Sequence, residues 1–294
     1  YALSVDLAQA LSYASEVPAH LLALSLAARS LGPLLHSAQF YVVVRSHGYD
    51  LGFRRVLLGM YSALALEYVV PVGGATEVGK VAFLAHEGVP LSSAVKITFL
   101  HRLAHSVFVA VELALLALLA RKIDGLFLWL LTATAVVNAL NLAAVASTRF
   151  PRFSKPLLKY ASKLGYREVE PADIGIPARK TFSTILLAIG LEKAASVVSG
   201  YLILSHLDRS ASLVHSLIIF DILLVTFWLL PVVTPAGVGQ VEVAQLLASA
   251  SLDLNASSAL SAIILYRLVT TASTIPQLIP ALIKYGANLV GRIE

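Results

Sequence analysis

Two acid–base pairs stand out in a sequence otherwise poor in charge. Glu77 and Arg102 are 25 residues apart, and Glu242 and Arg267 repeat that interval. In an apolar setting an unpaired charge costs several kcal/mol, so such residues either neutralise each other across a helix interface or line water. Beside the first pair, the stretch "VVPVGGATEVGKVAFL" from Val69 places Gly74, Gly79 and Lys80 at the spacing of a nucleotide-binding G-x-x-x-x-G-K loop. Val81 stands where a Ser or Thr hydroxyl would hold Mg²⁺, and both flanks run into long apolar segments, so the match argues for no nucleotide. His101 and His105 lie i, i+4 on one helix face, as zinc ligands can, but no H-E-x-x-H and no evident third ligand accompany them. No metal and no cofactor are therefore expected. A nucleophile–base constellation, an acidic metal cluster and a nucleic-acid motif are also missing from the sequence, so the expected class is not an enzyme and the expected partners exclude nucleic acid. Asn138, Asn141, Glu192, Lys193 and Asp221 read as interhelical hydrogen-bond partners.

The elements that must position these residues follow from composition. At 58% hydrophobic and 13% charged residues, with a mean hydropathy of +0.81, the chain is too apolar to cover a soluble globule with polar surface. It reads as an all-α integral membrane protein, since a bilayer core takes roughly 20 apolar residues per helix and no barrel-like alternation occurs. With no cysteine there is neither disulfide nor thiolate chemistry. The chain opens on Tyr1 rather than Met, which leaves room for an upstream helix or a removed tag.

Long apolar segments run over about 18–44, 53–71, 90–120, 125–146, 181–205, 212–231 and 256–283, while those near 74–86 and 237–251 are too short to span. The short ones belong to an internal repeat. The 32 residues from Gly74 align without a gap to those from Gly239, with ten identities that include Gly74/Gly239, Glu77/Glu242, Ser92-Ser93/Ser257-Ser258 and Arg102/Arg267. The organisation expected is one transmembrane domain over 1–294, with repeat one at 18–120, a connecting helix at 125–147, a linker at 148–180 and repeat two at 181–284. That linker carries Arg149, Arg152, Lys155, Lys159, Lys163, Arg167, Arg179 and Lys180 against Glu168, Glu170 and Asp173, so it is expected on the cytoplasmic side of the cell membrane. Lys155, Lys159 and Lys163 recur every four residues, which fits either a short helix lying on an anionic leaflet or a solvated basic loop.

Charge then sets direction. Arg45, Arg54 and Arg55 put the start of the segment at Phe53 inside, and the linker puts the end of the segment at Gly125 inside. The span from Pro90 must run outward, so 53–86 has to enter from the cytoplasm and return. The same count sends 212–251 in from outside, giving two inverted repeats, each with a re-entrant helical hairpin. Arg102 falls roughly 18 Å along its helix, at the depth of the hairpin tip and Glu77, and Arg267 stands likewise to Glu242. The returning helices direct free N–H groups and a positive dipole end toward the midplane, a setting that suits a phosphate.

The signature regions "PVGGATEVGKVAFLAHEGVPLSSAVKITFLHRL" and "LLPVVTPAGVGQVEVAQLLASASLDLNASSALSAIILYRLV" resemble those of the lysylphosphatidylglycerol synthase transmembrane-region, or flippase-like, family. By that resemblance Gly73, Gly74, Glu77 and Arg102 match the first region, and Gly237, Gly239, Glu242, Tyr266 and Arg267 the second. It implies a headgroup path bordered by these residues, with His101 and His105 as further candidates, and a translocase for a phosphate-bearing lipid headgroup or lipid-linked intermediate. Membrane lipids, anionic phospholipid or polyprenyl phosphate, are the implied partners, and oligomerisation stays open. Two departures stand out. His101 and His105 occupy places where family members often carry acidic residues, and "TPAGVG" replaces Pro-Gly-Gly. The alternatives are a membrane enzyme acting on a lipid or polyprenyl phosphate, with Glu and His as acid and base, and a structural partner of such an enzyme.

Overall fold

The computed structural model describes residues 7–69, 75–119, 179–222 and 240–281, with isolated positions 125, 132, 135, 136 and 139. Among the described residues all regular structure is helical. In chain order the helices are α1 (Leu7–Glu16), α2 (Ala19–Ser46), α3 (Phe53–Val69), α4 (Ala75–His86), α5 (Leu91–Leu119), α6 (Arg179–Leu207), α7 (Leu213–Leu217), α8 (Gln240–Ser251) and α9 (Ala256–Ala281). Helix α7 passes directly into a π-helical turn at Ile218–Ile222.

Among the described residues, four stretches are long and apolar enough to cross a membrane, Ala19–Ser46, Leu91–Leu115, Lys180–Leu207 and Ala256–Ile275. They fall on four of the five full spans expected from the sequence, and the chain is a multi-pass membrane protein. The fifth span, 125–146, is described only at the isolated positions given above, and the linker with Lys155, Lys159 and Lys163 lies outside the described residues, as do Gly73, Gly74, Gly237, Gly239, Asn138 and Asn141. Helix α1 is an element that the apolar segments did not announce. It lies against α9, where Ser257 Oγ donates to Gln9 Oε1 at 3.0 Å and Ser261 Oγ to the Ala10 carbonyl at 2.6 Å.

Helices α2 and α6 are antiparallel partners, as the buried contact of Ser25 with Ser199 and that of His36 with Glu192 show. Their ends define the two ends of the bundle. At the C-terminal end of α2, Val43 and Val44 share a core with Val89, and Arg55 reaches Glu87 at 3.6 Å. At the opposite end, the loop after α6 meets the turn before α9, because Asp208 Oδ2 accepts from the Asn255 N–H at 3.0 Å. Asp208 also accepts from the Ser210 N–H and hydroxyl. Partial burial works against ionisation of its carboxyl, but these hydrogen bonds outweigh burial and hold it below the ordinary aspartate value.

With 17 and 12 residues, α3 and α4 are too short to cross a bilayer core of about 30 Å singly. They pack antiparallel and very closely, because glycine removes the side chain at two crossing points. A Cβ on Gly59 would meet the Phe83 ring at 2.3 Å, and one on Gly79 would lie 2.7 Å from the Ala63 Cα. Gly79→Ala is therefore expected to be destabilising by roughly 1 to 3 kcal/mol, since the obstructing atom is backbone and overpacking outweighs the better helix propensity of alanine. A melting temperature unchanged or raised in Gly79→Ala would mean that the two helices can slide apart without loss.

Candidate functional site

Glu77 lies in the first turn of α4, where the helix dipole favours a carboxylate, and Arg102 lies near the middle of α5. Arg102 Nη1 stands 3.5 Å from Glu77 Oε2, and Lys80 Nζ, one turn further along α4, stands 3.9 Å from Glu77 Oε1. One carboxylate is thus shared by two cations. The second pair is built the same way. Glu242 lies in the first turn of α8, and Arg267 Nε on α9 stands 3.2 Å from Glu242 Oε1.

Lys80 is almost fully buried, with 2% of its surface exposed, and it carries the first site onward into a polar network. Its ammonium lies 3.4 Å from His36 Nε2 on α2. The other ring nitrogen, His36 Nδ1, faces both oxygens of Glu192 on α6, at 3.2 and 3.3 Å. Gln39 Nε2 donates to Glu192 Oε2 at 2.7 Å, and its carbonyl oxygen accepts from His105 Nε2 at 2.7 Å. Four helices thereby meet through side chains alone. Pro33 sits inside α2 just before this point, where it removes one backbone hydrogen bond, and Ser37 Oγ donates to the Pro33 carbonyl at 2.8 Å.

The next residue of α6, Lys193, turns to a different set of partners. It lies 2.9 Å from Glu112 Oε2 on α5 and forms a short ion pair with Asp221 in the π-helical turn. Consecutive residues at the middle of one span therefore place an acid in a basic, amide-lined cage and a base between two acids.

The candidate residues divide accordingly. Glu77 and Arg102 come together, Glu242 and Arg267 come together, and His101 and His105 lie beside the first pair, with ring centroids 5.0 Å apart. Tyr266 is buried, with its hydroxyl 2.7 Å from Ser196 Oγ and its ring against Phe220. Glu192, Lys193 and Asp221 pair across helices, as expected of polar groups inside spans. His36, Gln39 and Glu112 escaped the sequence reading, because none of them falls within the aligned repeat or at a known ligand spacing.

The profile described as "Lysylphosphatidylglycerol synthase TM region" matches residues 2–276. The chain belongs to that family. Membership ties this family member to membrane lipids, in keeping with the four membrane-length helices among the described residues. No curated protein matches the chain.

Proposed function

We propose that the chain is a translocase that moves a phosphate-bearing lipid headgroup, or a lipid-linked intermediate, across the cell membrane without covalent chemistry. The observation that carries this reading is the pair of Glu–Arg contacts, each joining the first turn of a short helix to the middle of a long one. When no headgroup is present, Glu77 is shared between Arg102 and Lys80, and Glu242 pairs with Arg267. An arriving phosphate takes the place of the carboxylate on these cations, so neither the empty nor the loaded site leaves a cation unpaired at depth. Gly73, Gly74, Gly237 and Gly239 would let the headgroup approach backbone at the hairpin tips, and the linker lysines would hold an anionic cytoplasmic leaflet.

The topology in this proposal is inverted, with α3–α4 entering from the cytoplasm and α7–α8 from outside. Support comes from the two turns that precede α5 and α9, which lie at opposite ends of the bundle. The chain has no natural cysteine, so single cysteines report side directly. Glu87→Cys is expected to label only from inside and Asp253→Cys from outside. Labelling of Glu87→Cys from outside, or of Asp253→Cys only from inside, would sink the inverted arrangement.

The test of function is a scrambling assay in proteoliposomes containing a fluorescent anionic phospholipid. Protein-dependent loss of leaflet asymmetry is expected, and a rate equal to that of empty vesicles would remove the translocase reading for that lipid. The hydrogen bond between His36 and Glu192 favours a second reading, acid–base chemistry on a lipid phosphate. Analysis of the same vesicles for new lipid products separates the two.

A further inference from the structure

We infer that His36, His101 and His105 form a binding site for a divalent transition-metal ion, zinc foremost, because three imidazoles suit that class of ion. One ring nitrogen from each lies within 4.8 Å of the others, and the ring centroids form a near-regular triangle with separations of 4.8, 5.0 and 5.0 Å. Three atoms that far apart stand about 2.8 Å from their common centre, so an inward movement of about 0.7 Å each gives the 2.0–2.1 Å of a zinc–imidazole bond. The third ligand, which the sequence did not reveal, is His36 on α2.

Hydrogen bonding around the triangle prepares it for an ion. His36 Nδ1 donates to Glu192, which orients the ring and leaves Nε2 as the lone-pair nitrogen. His105 Nε2 donates to Gln39 Oε1 and leaves Nδ1. Of the three, His101 is the most telling. It is fully buried, and neither of its ring nitrogens has a hydrogen-bond partner among the described residues. A buried polar group without a partner is costly and calls for one.

The internal repeat builds the corresponding positions of its second copy without histidine. The positions aligned with His101 and His105 are Tyr266 and Thr270, and the position aligned with Lys80 is Gln245. Tyr266 is satisfied by Ser196, and Gln245 donates to the Ile219 carbonyl. The first repeat thus carries imidazoles where the second carries groups that only pack and bond. Lys80 is the competitor, because its ammonium faces His36 Nε2. An ion would displace it toward Glu77. Three protein ligands leave a fourth position for water or another oxygen ligand.

The test uses the tag-free full chain in nanodiscs, stripped with chelator and titrated with Co²⁺ alone, then with Zn²⁺ as competitor. One Co²⁺ per chain is expected, with the visible absorption of a four-coordinate site, abolished by Zn²⁺. His101→Tyr and His105→Thr import the residues of the second repeat and should lose the absorption while eluting as folded protein. If one of them fails to fold, the other carries the test. Glu192→Gln should weaken binding about 10- to 100-fold. Lys80→Gln should tighten it. Absence of saturable 1:1 binding, or 1:1 binding that persists in either folded histidine variant, would overturn the site. Neither readout depends on lipid transport.

Discussion

The Arg102→Gln, Arg267→Gln double variant is expected to lose protein-dependent lipid scrambling while retaining most of its thermal stability. The two arginines are only partly enclosed, with 16% and 26% of their side-chain surface exposed, and their carboxylate partners are open to a similar degree. In the wet path proposed above, water reaches this exposed surface and screens the stranded Glu77 and Glu242, so the stability loss should fall well short of the roughly 3 to 5 kcal/mol that breaking a fully buried pair costs. Lys80 remains beside Glu77 and softens the loss further. A phosphate that must exchange with a carboxylate, by contrast, loses its principal charge-assisted donors in the variant. The two roles therefore separate in one experiment. If the pairs only pin short helices to long ones, melting temperature falls and the surviving folded protein scrambles lipid normally. Wild-type scrambling by a stable double variant would remove the headgroup path from these residues.

Those arginines could be located in the sequence because the repeat doubled the signal. A charge that recurs at the same spacing in two copies, deep inside apolar segments, has few structural alternatives. The membrane class and four spans were legible for a simpler reason, since a helix of 20 or more apolar residues has almost nowhere else to go. His36 and Glu192 were not legible as a pair, because they lie 156 residues apart in sequence, and the two histidines of the 28-residue α2, His20 and His36, do not share a helix face. Glu112 was missed because its partner, Lys193, is likewise distant in sequence. The π-helical turn at Ile218–Ile222 left no mark either, because a one-turn change of helix type has no composition of its own. That turn matters because it carries Asp221 to Lys193.

Lys193→Met should therefore be the most damaging single change to the fold. Lys193 joins Glu112 of α5, Asp221 of the π-helical turn and its own helix α6, and both Lys193 and Asp221 are buried. Methionine matches the length of the lysine stem, so packing is nearly preserved and the change isolates the charge. Its removal leaves two carboxylates facing each other with no cation between them. A loss of about 3 to 5 kcal/mol is expected, a large part of the 5 to 15 kcal/mol available to a typical domain. The accompanying drop in melting temperature is on the order of 10 °C. Neutralising the acids as well distinguishes charge from shape. Lys193→Met combined with Glu112→Gln and Asp221→Asn removes all three charges, and replacing a whole buried ionic cluster is often close to neutral, so most of the lost stability should return. Recovery in the triple variant would show that the cluster holds three elements together by charge balance. Failure to recover would place the role of Lys193 in its ammonium over the Phe108 ring, whose centre lies 5.8 Å away, a contact that methionine cannot replace.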